Sequence, residues 1–398
     1  MKLFSLPKTI ERNIPLFYIL RAVELPIFIL PISYVYLTEI KGFDPLQTAF
    51  ILGLQEFALI FLEVPTGIVA DKVSRKFSVA LGYFLTWFMV MFLPFFSSFY
   101  AIVIIWIFRA LGKALTSGAD SSLLFDTLVD LKREDEYKNI LRKSRAYTFA
   151  VSTVCIFLGA QIYQYNVNIP FFLGFPIALI GIIAVVNMIE PEVTKEGKTK
   201  QEANYFTHTI SAFKYIIKDR YIVILVILFS IIEGMAVQLK WIYNPIFAEL
   251  GLGIGLIGGL TTLLYLSKTF ISYVNSKFPD NILYNIIIPV CSSLFFFILL
   301  SFVFNPYVAF IAMLMEIFSQ GMLISYTQNL IHKRLDSSIR ATAMSGINLI
   351  SSIFATLIIW GFGYFQLKFN IQYAVGYIAF IYILVAILSI YFIRIRKN

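Results

Sequence analysis

The sequence predicts an all-α membrane protein of twelve transmembrane helices in two six-helix halves, with both termini cytoplasmic. Three observations carry this. Hydrophobic residues make up 59% of the 398 and charged residues only 14%; apolar stretches of spanning length recur along the whole chain; and one long polar segment divides them near the middle. Soluble domains have close to a quarter of their residues charged, and a mean hydropathy of +0.81 leaves too few polar side chains to cover a globule in water. Lipid is therefore the expected solvent for most of the chain.

About 20 apolar residues cross the roughly 30 Å hydrocarbon core. Such stretches fall at 14–38, 46–70, 77–97, 99–126, 146–166 and 170–189, and again at 220–247, 252–276, 282–304, 306–331, 341–366 and 371–393. Between the two sets lies the longest polar stretch. The expected organisation is thus an N-terminal half over 1–189, a cytoplasmic linker over 190–219 and a C-terminal half over 220–398. Within the linker Phe206, Ile210, Phe213 and Ile217 recur at helical spacing, the pattern of a short amphipathic helix lying on a membrane surface.

Orientation follows from Lys and Arg. With both termini inside, the cytoplasmic side receives Lys72, Arg75, Lys76, Arg133, Arg142, Arg145, Arg340 and Arg394 among many others, and the opposite side only Lys41 and Lys368. That is the positive-inside asymmetry. It also accounts for a net charge of +9 without nucleic acid, since no basic patch interleaved with stacking aromatics stands on a soluble domain. Cys155 and Cys291 fall in helices of different halves without metal-ligand spacing, so they read as small core residues. No nucleophile and base set, metal cluster or phosphate-binding loop is visible, and neither enzyme activity nor a cofactor is expected. "GLGIGLIGG" at 251–259 opens an apolar helix with no strand before it, the setting of close helix packing rather than of a nucleotide loop.

An ionised side chain at the bilayer centre costs at least about 2.5 kcal/mol on insertion scales, so it marks a partner, a water-filled cavity or a task. At 1.5 Å per residue, Glu24, Glu56, Arg109 and Glu316 fall near a common midplane. Spacing groups the charges further: Arg21 with Glu24, Arg109 with Lys113, Lys113 with Asp120, Glu56 with Glu63 and Glu233 with Lys240 each share a helix face. Arg21, Glu24, Glu56, Arg109, Glu233, Lys240 and Glu316 are therefore candidate cavity and proton-handling groups. Lys268 reads as a cavity-edge residue. Neither His208 nor His332 is at mid-membrane, which leaves carboxylates as the proton carriers. Phe28, Tyr34, Trp241, Tyr243 and Tyr326 are candidate contacts for an apolar solute.

The stretch "GIVADKVSRK" at 67–76, between the second and third helices, resembles the signature loop of the major facilitator superfamily, Gly-x-x-x-Asp-Arg/Lys-x-Gly-Arg-Arg/Lys. Gly67, Asp71, Lys72, Arg75 and Lys76 match, and Ser74 stands where the glycine is usual. "RALGKAL" from Arg109 resembles part of the family's Arg-x-x-Gln-Gly motif, and "SGADSSLLFD" ends in Asp126, where many members carry an acid facing the signature loop. The fifth helix has Gly159 but none of the proline-containing motif of drug:proton antiporters.

This resemblance implies a twelve-helix transporter working as a monomer in the cell membrane, with a cavity lined by the first, fourth, seventh and tenth helices. It places Gly67, Asp71, Arg75 and Asp126 in a cytoplasmic gate. The function it implies is proton-coupled export of small amphipathic organic compounds by alternating access. Proton-coupled uptake of a nutrient or metabolite is the alternative within transport, and a sensor or lipid-handling protein on the same fold the alternative outside it.

Overall fold

The computed structural model describes residues 9–24, 28–192, 217, 219–275, 279, 281–335 and 337–397. The linker's expected amphipathic helix lies outside these residues. All regular structure among them is helical. The longer helices are α1 (Asn13–Ala22), α2 (Pro45–Lys72), α3 (Arg75–Val90), α4 (Phe99–Thr116), α5 (Ala119–Asp130), α6 (Tyr137–Tyr165) and α7 (Ile169–Asn187). They continue as α8 (Arg220–Glu249), α9 (Ile254–Asn275), α10 (Ile288–Phe302), α11 (Pro306–Arg334), α12 (Ser337–Lys368) and α13 (Ile371–Lys397).

Among the described residues ten helices are long and apolar enough to cross a membrane, against the twelve expected. The first expected helix, 14–38, is broken. Helix α1 stops at Ala22, and regular structure resumes only as Ser33–Val35 and a π-helical turn over Tyr36–Ile40. Pro31 falls in this interval, and a proline lacks the N–H a helix needs. The eighth expected helix corresponds to α9, Ile254–Asn275, whose described side chains form an apolar helix over Ile254–Lys268.

Two further departures concern helix ends. The expected 99–126 helix breaks after Thr116, where Gly118 takes φ +75°, a left-handed conformation that glycine adopts without steric cost. Helix α6 begins at Tyr137 rather than near 146, because its first turns carry Lys138, Arg142, Lys143 and Arg145 and hydropathy does not register a charged helical turn.

The chain divides into two compact units, Met1–Ile29 with Ala58–Glu202 and Leu30–Phe57 with Ala203–Asn398. The first unit is built on Leu16, Phe17 and Leu20 of α1, Val79 and Tyr83 of α3, Leu123 and Leu128 of α5, Ile140 of α6 and Val185 of α7. Backbones approach closely within it. A Cβ on Gly112 would lie 2.6 Å from the Gly82 carbonyl, the small-residue contact by which helices associate where lipid removes the hydrophobic drive between them.

In the second unit, residues 30–57 group with the later helices rather than with their sequence neighbours. Gly53 of α2 lies against Ile359 and Trp360 of α12, and Gly363 of α12 against Ala49 and the Pro45 carbonyl. Phe50 stacks on Trp360 at 5.0 Å, and Asn244 Nδ2 of α8 donates to the Leu30 carbonyl at 2.6 Å. Large apolar side chains such as Phe61, Ile183, Phe270 and Ile387 remain exposed, as a lipid-facing surface requires.

Candidate functional site

In the first unit, the end of α1 and the break between α4 and α5 bring four charged side chains together. Arg21 Nη1 donates to Glu24 Oε2 and to Asp120 Oδ2, each at 2.7 Å. Lys113 Nζ reaches Glu24 Oε1 at 3.3 Å, and Asp120 Oδ1 accepts from the Ser121 N–H at 2.6 Å. Lys113 and Asp120 share a face on an unbroken helix; the turn at Gly118 separates them into two helices, yet both line one cavity. That cavity, about 360 Å³, is bounded also by Arg21, Glu24, Ser121 and Arg145. Tyr83 Oη donating to the Leu20 carbonyl at 3.0 Å and Thr148 Oγ1 donating to the Arg21 carbonyl at 2.7 Å hold the end of α1 in place.

The Arg109 guanidinium lies over the Trp106 ring at 5.7 Å. Sequence spacing pointed to Arg109 and missed the partnership of Asp120 with Arg21. A contact between residues ninety-nine positions apart leaves no periodic trace in either helix.

The 67–76 stretch is also resolved in detail. Helix α2 runs to Lys72 and α3 starts at Arg75. Ser74, the departure from the family pattern, caps α3 by accepting from the Phe77 N–H at 3.2 Å and donates to Glu190 Oε2 at 2.7 Å. A glycine supplies neither bond, so the serine has its own structural use. Arg75 Nη1 pairs with Asp126 Oδ2, joining α3 to α5. Gly67 has open space around it, and the side chain of Asp71 lies outside what the structure describes.

In the second unit, Glu316 of α11 is fully buried. One carboxylate oxygen accepts from Gln320 Nε2 at 2.7 Å, and the other has no hydrogen-bond partner among the described residues. Lys268 of α9 is within electrostatic reach of both Glu316 and Glu233, and Glu56 within reach of Glu233. Buried polar groups without hydrogen-bond partners among the described residues recur on the same helices, at both amide atoms of Gln238, the Tyr243 hydroxyl and the Ser319 hydroxyl. Each such group costs about 1–3 kcal/mol, a cost that marks a polar interior. Lys240 Nζ lies over the Trp241 ring at 5.5 Å.

The five aromatic candidates are all buried, and none lines the 360 Å³ cavity. Tyr34 Oη accepts from Gln366 Nε2 at 2.6 Å, and the Phe28 carbonyl rests against Gly159.

A model of the Major Facilitator Superfamily matches residues 17–358. The chain belongs to that superfamily. It is thus a multi-pass membrane protein of a transporter family and not an enzyme. An uncharacterized MFS-type transporter of the superfamily, YxaM of Bacillus subtilis (strain 168), is 26% identical over 262 residues. That match covers 64% of this chain and 64% of the relative, so the chain spans under two thirds of the length of this curated relative. Among solved structures, the nucleoside transporter NupG superposes with a TM-score of 0.73 at 14% identity, covering 98% of this chain and 100% of its own. A D-xylose-proton symporter gives 0.77 at 13%, covering 96% and 97%. At such identities the likeness shows the superfamily fold alone.

Proposed function

We propose that this superfamily member is a proton-coupled secondary active transporter of the cell membrane that exports small amphipathic organic compounds by alternating access. The single observation behind the proton coupling is Glu316, a fully buried carboxyl with one oxygen bonded by Gln320 and the other unpartnered among the described residues. An ionised carboxylate in a dry interior is costly, so such a group carries a proton while enclosed and gives it up when water or a cation reaches it. Lys268 is the cation within reach. Arg21, Glu24, Glu56, Arg109, Glu233 and Lys240 remain proposed members of the cavity lining, and Phe28, Tyr34, Trp241, Tyr243 and Tyr326 proposed substrate contacts.

The test is flux in proteoliposomes under an imposed pH gradient. Glu316→Gln keeps the shape and the Gln320 contact but cannot release a proton; it is expected to abolish pH-driven flux while ligand binding survives. Wild-type proton-linked flux in this variant overturns the assignment. Running the gradient in both directions separates export from uptake.

A further inference from the structure

We infer that the 360 Å³ cavity of the first unit binds the anionic head of its solute, a carboxylate or phosphate monoester. This rests on the transport reading above and names the substrate's charge within it.

Charge bookkeeping around the cavity comes first. Its walls carry three cations, Arg21, Lys113 and Arg145, and two carboxylates, Glu24 and Asp120. Both carboxylates are already engaged from within: Glu24 by Arg21 and Lys113, Asp120 by Arg21 and the Ser121 N–H. Arg145 has no ion-pair partner among the described residues, and the Lys113 side chain keeps 36% of its surface exposed. The charge left uncommitted at this wall is positive.

Backbone geometry adds to it. The left-handed turn at Gly118 starts α5 at the cavity wall, and an α-helix of this length carries a partial positive charge at its first turn, where the Ser121 N–H is taken by Asp120. A half-helix start within a transmembrane segment is a recognised way of meeting an anionic group. The volume is in the range of small-molecule sites, about 300–1,000 Å³.

A cationic solute fits poorly, since the two acids that would receive it are each held by Arg21. A neutral solute leaves Arg145 and Lys113 without a counter-charge at this wall, and a charge-assisted bond is about twice as strong as a neutral one. The site therefore discriminates by charge first and by shape second.

The experiment follows thermal unfolding of the full chain in detergent by tryptophan fluorescence, at constant ionic strength, with two matched sets of probes. Benzoate, benzamide and benzylammonium share a ring and differ in charge; glycerol 3-phosphate and glycerol differ by the phosphate. At least one anion is expected to raise the unfolding midpoint saturably, with its matched neutral and cationic partners ineffective. Arg145→Gln, at an exposed position without an ion pair to lose, is expected to weaken that titration about three- to tenfold, and Lys113→Gln to do the same. The inference is overturned if neither anion stabilises, if a neutral or cationic probe does as well, or if Arg145→Gln leaves the anion titration unchanged. Glu316→Gln should retain the anion titration, so loss of proton coupling and loss of anion binding report on separate residues.

Discussion

At the scale of residues, ion pairs link helices distant in sequence. Arg75 and Asp126 join α3 to α5 and are partly exposed. A pair of this kind is worth about 1 kcal/mol, too little to hold the fold but enough to shift a two-state equilibrium several-fold. We propose that Gly67, Asp71, Arg75 and Asp126 form a cytoplasmic gate. Arg75→Ala and Asp71→Asn are each expected to slow transport strongly, leave ligand affinity within a few-fold and shift the protein towards the inward-open state. Spin-label distances across the cytoplasmic helix ends check this; unchanged distances with normal transport reduce the stretch to a topology signal. Here the sequence was informative. The motif and the acid at 126 were both legible, whereas Glu190, which receives Ser74 and the Arg75 N–H, was not, because nothing local links positions 115 or more apart.

At the scale of elements, glycine and proline decide where helices bend and where they meet. Gly118 separates α4 from α5, and Pro31 stands between α1 and the turn at Ser33. The second unit depends on the contact of α2 with α12, where Gly53 and Gly363 leave no room for a side chain and Gln366 Nε2 donates to Tyr34 Oη and to Glu249 Oε1. Gly363→Val would drive its side chain against Ala49 and the Pro45 carbonyl. The expected cost is roughly 1–3 kcal/mol of overpacking, read as a lower unfolding midpoint in detergent. Gly67→Ala, in open space, serves as the control with a midpoint near that of the native chain. An equal midpoint for Gly363→Val would mean that this contact yields without cost.

At the scale of the whole molecule, the positive-inside asymmetry carries the proposed orientation, with twelve crossings and both termini cytoplasmic. Single cysteines at Gly42 and Lys368 in a cysteine-free background should react with an impermeant thiol reagent applied to intact cells, and one at Lys198 should not. Labelling at 198 refutes that orientation.

Composition, the spacing of apolar stretches and the loop at 67–76 sufficed for the fold class, the membrane solvent and the superfamily, because each depends on local chemistry: the cost of polar groups in lipid, the length of a span, a short motif at a helix junction. The tertiary structure alone decided which charges meet. Glu24 could pair with Arg21 three residues away, and it does; but the same guanidinium nitrogen also takes Asp120, and a buried Glu316 has one oxygen without a partner among the described residues. Those outcomes depend on how helices distant in sequence pack, and on a single left-handed glycine that redirects half a helix. A periodic pattern records which face a residue occupies; what stands opposite that face is written only in three dimensions.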